Sequence, residues 1–163
     1  FTWPMAPTMS GTMIDLRSAP PTSNSSDWTA HLWDRDSELA FVTALNLEKR
    51  LMLGYVFRPD NYPWMQTWEY YPPEGIMARG LEFGSQAFDL PRRKVITENK
   101  IFGQLLYRWL PAKSEIKAKF ILFWTRTPKD FKRTDTIHFN EGQLHITDSH
   151  SGTSFRLKAS QGL

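Results

Sequence analysis

Cysteine is absent from the 163-residue chain. No disulfide can staple the fold and no thiolate can serve as nucleophile or metal ligand, while the redox compartment stays open. No apolar run approaches the ~20 residues of a helical membrane span, so no membrane partner is expected. Neither sign of charge dominates. Twenty Lys and Arg against 17 Asp and Glu leave a net +3. The two signs are mixed along the chain, whereas a nucleic-acid binder gathers its Lys and Arg into a stripe. No phosphate-cradling glycine loop and no His-Glu-x-x-His pair is present. Histidine is scarce, at four residues, and no Ser-His-Asp arrangement can be read from scattered positions.

What the chain has in excess is aromatic surface: 14 % Phe, Trp and Tyr, including seven tryptophans. Rings in that number need a core or a binding face. With 40 % hydrophobic and 23 % charged residues the composition is that of a globular protein, long enough for one domain with its own core. Short apolar or alternating runs recur at Trp28–Trp33, Leu39–Leu45, Leu51–Phe57, Met65–Tyr71, Met77–Phe83, Gln104–Leu110, Ile116–Thr125, Thr134–Phe139, Gln143–Asp148 and Ser154–Lys158. Turn signals such as Arg-Pro-Asp-Asn, Pro-Pro-Glu-Gly and Ser-His-Ser-Gly separate them. Many short strands at close spacing mean an all-β antiparallel sandwich or barrel. No stretch sustains helical periodicity over ten residues. The segment Phe1 to Met9 reads as a Pro-containing loop and Ala19 to Ser26 as a turn cluster.

Within Ile116–Thr125, Phe120, Leu122 and Trp124 share one face and Ile121 and Phe123 the other. Apolar residues on both faces predict a central strand covered on both sides. At the tail, a two-residue turn at Glu141-Gly142 pairs His138 with His145 and Ile137 with Ile146, and a second turn at Ser149–Gly152 continues the meander. Opposed His138 and His145 would stand ~4.5–5.5 Å apart at Cβ, yet zinc wants three or four ligands, so no metal and no other cofactor is expected. A slip of one residue would turn the apolar set to solvent, so the two histidines should lie together on the exposed face. His31 lies opposite Trp28, Ala30 and Leu32 on its strand and is expected at the surface or a rim.

The stretch that invites chemistry is Met77 to Gln86, in which Glu82 sits among apolar residues and glycines. A carboxylate there is either ion-paired, with Arg79 the nearest cation, or a group in a cleft. Upstream lies an aromatic segment: Tyr55, Phe57, Tyr62, Trp64, Trp68, Tyr70 and Tyr71. Trp68 and Tyr70 share a strand face with Gln66. Aromatic walls beside amide and carboxylate groups suit sugars, whose C–H faces lie on rings while their hydroxyls take hydrogen bonds. Core packing accounts for many of the same rings.

Five segments, in order, resemble motifs of the aldose 1-epimerase (galactose mutarotase) family. Gly11-Thr12-Met13-Ile14-Asp15-Leu16-Arg17 is similar to its Gly-Thr-x-x-Asp-Phe-Arg motif. Asp27-Trp28-Thr29-Ala30-His31-Leu32 resembles its Asp-His-Asn-Phe-Val-Leu segment in the Asp and the strand character. Pro63-Trp64-Met65-Gln66-Thr67-Trp68 resembles Pro-Gly-x-Gln-x-Tyr. Gly80 to Gln86 resembles the segment holding the catalytic Glu, and Leu110-Pro111-Ala112-Lys113 a late turn. The resemblance covers roughly residues 10 to 125 and fits a divergent branch.

It implies a galactose mutarotase-like antiparallel β-sandwich, with a sugar as ligand. It also implies a reaction: a carboxylate takes the anomeric proton, an imidazolium protonates the ring oxygen, the ring opens, and it recloses after rotation about C1–C2. Glu82 matches the base, and Asp27 and Gln66 match hydroxyl-holding positions. Trp64, Trp68 and Arg79 complete the expected sugar-binding set. The family's histidines lie upstream of the first motif, and no His precedes position 31 here. The chain also opens mid-pattern at Phe1. It is therefore expected to be the C-terminal half of a longer sandwich, its partner being the missing N-terminal half, with Asp130 to Leu163 as an additional β-meander. Two alternatives are a non-catalytic carbohydrate-binding module and a structural β-domain of a larger enzyme.

Overall fold

The computed structural model describes residues 1–8, 10–17, 25–34 and 36–163, without the side chains of residues 25 and 26. Most of the expected turn cluster at Ala19 to Ser26 lies outside the described residues. Among the described residues the chain is all-β with antiparallel sheets, apart from one short helix. It divides into two compact units, each built from two separate stretches: residues 1–33 with 62–114, and residues 34–61 with 115–163.

The second unit contains β4 (Ala40–Asn46), β5 (Leu51–Phe57), β10 (Phe120–Arg126), β11 (Thr136–Asn140), β12 (Gln143–Asp148) and β13 (Thr153–Lys158). They form two three-stranded sheets, ordered β10-β5-β4 and β11-β12-β13. Period-2 alternation sends Met52 and Val56 from the first sheet and Ile137, Leu144 and Ile146 from the second into one buried core. Phe41, Ile121, Phe123 and Phe155 pack against it. Gly54 is required at the centre of β5, because a Cβ there would stand 2.3 Å from the Phe123 ring, too close for any real contact.

The tail has the register its alternation predicts: Ile137 opposes Ile146, His138 opposes His145, and Asp148 opposes Thr153. Glu141 and Gly142 both take positive φ, 49° and 73°, as a two-residue primed turn demands. His138 is exposed and His145 half-buried. Among the described residues no group of three or more metal-ligating side chains exists. The meander shares one core with β4, β5 and β10.

The first unit holds β1 (Met5–Pro7), β2 (Met13–Asp15), β3 (Ser25–Leu32), β6 (Trp64–Tyr71), β7 (Ala78–Gly84), the helix α1 (Arg92–Glu98), β8 (Lys100–Ile101) and β9 (Gln104–Leu105). Its main sheet is ordered β3-β6-β7. Ala87, Val95 of α1 and Leu106 bury Trp64 at one end of one sheet face, with Leu32, Phe88 and Ile101 around them. None of the described helices is long and apolar enough to cross a membrane.

Four local expectations are corrected. The strand expected at Gln104–Leu110 is only Gln104–Leu105, the second arm of a hairpin closed by Phe102 and Gly103 at φ 51° and 77°. The loop expected over Phe1 to Met9 contains β1. Helix α1 was not expected; it is a single short turn-rich element with one buried residue, Val95. β10 is an edge strand and not a central one. Its Ile121 and Phe123 face the core, but Phe120, Leu122 and Trp124 on the other face are 47 %, 56 % and 77 % exposed.

Candidate functional site

The β3-β6-β7 sheet sorts the candidate residues by parity. Gln66 opposes Ala30 and Glu82, Trp68 opposes Trp28 and Gly80, and Tyr70 opposes Ala78. These residues lie on one face, since directly opposed residues project to the same side. On the other face, Asp27 opposes Glu69, and Glu69 opposes Arg79. The sheet thus brings Glu82, Gln66, Trp64 and Trp68 together on one side and sets Asp27 and Arg79 on the reverse.

The Glu82 face has a closed end and an open end. Trp64, 1 % exposed, is a core residue whose indole N–H donates to the Leu105 carbonyl at 3.2 Å. Two residues along the strand, Gln66 is half-buried and its amide donates to the Gln86 carbonyl at 2.6 Å. Trp68 and Tyr70, 40 % and 43 % exposed, carry parallel rings with centroids 6.1 Å apart and only 4° between their planes. Trp28 lies beside them in the register and is held by Phe88, 5.3 Å away between centroids. Glu82 is exposed. Its carboxylate folds back towards Gly80, where an added Cβ would come within 3.0 Å of Oε1 and 3.6 Å of the Trp68 Cβ. The ion pair considered for Glu82 is not made with Arg79, which turns to Glu69 instead.

The reverse face is enclosed. Thr29 and Thr67 hydroxyls bond across the strands at 2.5 Å. Arg79 Nη2 stands 3.3 Å from Glu69 Oε1, with the Glu69 side chain 2 % exposed and that of Arg79 16 %. Burial pushes the Glu69 carboxyl above its ordinary range; Asp27 adds to the rise and Arg79 pulls against it. The Tyr71 hydroxyl is raised by burial and by the charge of Glu69. His31 is buried and not at a rim. The rings of Phe1 and Trp3 meet it edge-on at 5.2 Å and 5.5 Å, and its Nε2 lies 3.4 Å from the Met5 carbonyl. Burial lowers its proton affinity, with the Met5 carbonyl opposing. An enclosed imidazole on the face opposite Glu82 cannot act as acid on that side of the sheet.

Sequence reasoning missed Glu69 and Asp148. In Trp-Met-Gln-Thr-Trp-Glu-Tyr-Tyr, Glu69 alternates with Thr67 and Tyr71 on the covered face, the signal that would have found it. Asp148 ends β12 and opens the turn Asp-Ser-His-Ser-Gly, and Asp at the head of a turn accepts N–H bonds from the residues that follow. Comparison with known proteins finds no matching family model, curated protein or solved structure. The likeness to aldose 1-epimerases rests on the motifs alone.

Proposed function

We propose that the open end of the Glu82 face binds a saccharide. The observation that carries this reading is the exposed parallel pair Trp68 and Tyr70 beside Gln66 and Glu82. Two similarly oriented rings offer apolar faces to sugar C–H groups, while an amide and a carboxylate one step away offer partners for hydroxyls. Asp27, Arg79 and Trp64 take no part, since two lie on the reverse face and one is core. The chain is then a carbohydrate-binding β-module.

A second reading keeps the catalytic role of the mutarotase-like fold, with Glu82 as the base for anomeric interconversion. The register that sets Gln66 opposite Glu82 favours it, because the amide could hold a hydroxyl next to the one being deprotonated. No described histidine shares this face, so the acid would have to come from elsewhere, and binding is the better-supported function.

The test is calorimetric titration of the full chain with a panel of mono- and oligosaccharides. At least one class should bind, and Trp68→Ala or Tyr70→Ala should each weaken it about tenfold, equivalent to about 1.4 kcal/mol. Glu82→Gln should leave binding within a few-fold; under the second reading it should also abolish any measured anomer exchange. Binding by no saccharide, or binding indifferent to both ring deletions, would overturn the proposal.

A further inference from the structure

Charge that is balanced over the whole chain is concentrated in one stretch of the first unit. Residues 91–113 hold six Lys or Arg against one Glu, a net +5, while the rest of the chain holds 14 against 16, a net −2. The stretch contains α1 and the β8–β9 hairpin. Val95 and Ile101 anchor it in the core around Trp64, and the Leu106 N–H donates to the Asn99 carbonyl at 3.0 Å, fastening the hairpin to the end of the helix. With Val95 turned inward, 3.6 residues per turn put Ile96 between Arg92 and Arg93 on one flank of α1, and all three are exposed. In the hairpin Lys100 opposes Leu105 and Ile101 opposes Gln104. Since Ile101 packs on the core, Lys100 and Leu105 face away from it, and both are exposed.

Phe102 is the residue that decides what this surface is for. It takes the first position of the two-residue turn at φ 51°, followed by Gly103 at 77°. A turn of that kind favours Asn or Gly at its first position, and a bulky side chain in the left-handed region is strained. Packing does not offset the strain, because the ring is 83 % exposed. Turn chemistry and core packing both argue against Phe here, so its use lies outside the unit. Strained residues of this kind gather at functional sites.

Charge and shape choose the occupant. The excess of cations calls for an anionic partner. The apolar side chains project from a helix flank and a hairpin tip; a protein partner would need a groove cut to receive the tip, whereas a bilayer surface accepts it without one. Ile96 and Leu105 are aliphatic, which suits hydrocarbon and offers no flat face on which a nucleobase could stack. Trp109, 66 % exposed four residues beyond β9, is of the type that settles at headgroup depth. Contact of this kind lies on the membrane and needs no spanning helix. We propose that α1 and the β8–β9 hairpin dock the protein on an anionic lipid surface, with Phe102 inserted below the headgroups and Arg92, Arg93 and Lys100 set against their negative charges.

The probe is a vesicle of phosphatidylcholine and phosphatidylserine, compared with phosphatidylcholine alone. The full chain should co-sediment with the anionic vesicles and not with the neutral ones, and should be released as salt rises. The triple variant Arg92→Glu, Arg93→Glu and Lys100→Glu should weaken binding at least about a hundredfold, since each Lys or Arg beside an anionic surface contributes about fivefold. Phe102→Asn suits the turn better than Phe, so unfolding cannot explain its effect; it should weaken binding about tenfold through the lost apolar contact. Because the chain has no cysteine, Phe102→Cys takes a single environment-sensitive dye, whose emission should shift to the blue on anionic vesicles, while the same dye at Glu48→Cys in the β4–β5 turn should not respond. No binding to anionic vesicles, binding indifferent to Phe102→Asn or to the charge reversals, or a Phe102→Cys dye that stays in water would overturn the proposal. So would tighter binding of a single-stranded oligonucleotide through the same residues, which would assign the surface to nucleic acid.

Discussion

Replacing Asp148 by Asn should unfasten the second unit. Asp148 is fully buried at the end of β12. Its Oδ2 accepts the backbone N–H of Lys132 at 2.8 Å and of Arg133 at 3.3 Å, and its Oδ1 those of His150 at 3.0 Å and Ser151 at 3.1 Å. One carboxylate thus joins the loop before β11 to the turn after β12. Burial by itself would raise its proton affinity, but the N–H donors outweigh it and hold the carboxyl well below the usual carboxylate range. Asn keeps one accepting oxygen and turns an NH₂ towards the other two donors. Two hydrogen bonds to a charged group, each worth about 1.5–3 kcal/mol, are lost. Some of the loss is recovered as loop N–H groups reach water, leaving a cost of roughly 3 kcal/mol. With an m-value of about 2 kcal/mol/M in urea, the midpoint at pH 7 should fall by about 1–2 M at unchanged m. The acid dependence supplies a second check. A carboxylate whose folded pKa is depressed contributes stability that is fully present above its unfolded value, about 3.9, and is lost as pH falls towards the folded one. The gap between parent and variant should therefore be constant from pH 7 to about 5 and narrow below about 4. Hydrogen exchange at residues 143–158 would localise the effect. An unchanged midpoint at pH 7, or a gap that does not narrow in acid, would refute the reasoning.

The Glu69–Arg79 pair should respond asymmetrically. Arg79→Leu strands a buried carboxylate and should cost about 3 kcal/mol at pH 7, with the cost shrinking below pH 4, where Glu69 is protonated in both states. Because burial raises the folded pKa of Glu69, its contribution to stability is most favourable at low pH and declines as pH rises through the unfolded value; Glu69→Gln should therefore match or exceed the parent at pH 7 in urea unfolding. In the other unit, Gly54→Ala should destabilise by about 1–3 kcal/mol through overpacking, and Phe123→Leu in the same chain should restore part of it, as read from thermal midpoints.

Strands were legible where alternation and turn chemistry agreed. Leu51–Phe57 and Gln143–Asp148 have the bounds their patterns predict, and Glu141-Gly142 marks its hairpin because Gly142 supplies positive φ at no steric cost between two alternating runs. Helix α1 left no such mark: its N-cap is Pro91, no side chain caps it, and one buried valine makes no stripe. The misplacement of β10 has a different origin. Apolar residues on both faces report that both faces are sticky, whereas the order of strands in a sheet is decided by partners remote in sequence. The candidate site shows the same division. Trp68, Tyr70 and Gln66 could be assigned to one face from spacing within a single strand. That Glu82 joins them, and that Asp27 and Arg79 do not, depends on inter-strand register, which no single segment contains.

The division of the chain into two units carries a consequence for how it comes to be folded. The backbone passes from one unit to the other at 33/34, at 61/62 and at 114/115. Neither unit can therefore be completed in one pass from the N-terminus. On a ribosome, β3 emerges and must wait while the whole β4–β5 hairpin is made before β6 arrives to pair with it. β5 then waits through β6, β7 and α1 before β10 closes its second side. Such pairings between distant segments slow folding, because loop closure is paid for before contact rewards it. They also make the nascent chain an assembly with two unfinished sheets at once, in which the apolar strand β5 has only its hairpin partner β4 for company. Excising either unit as a contiguous fragment would reproduce that unfinished state permanently, so expression boundaries drawn at any of the three crossings should yield material that aggregates.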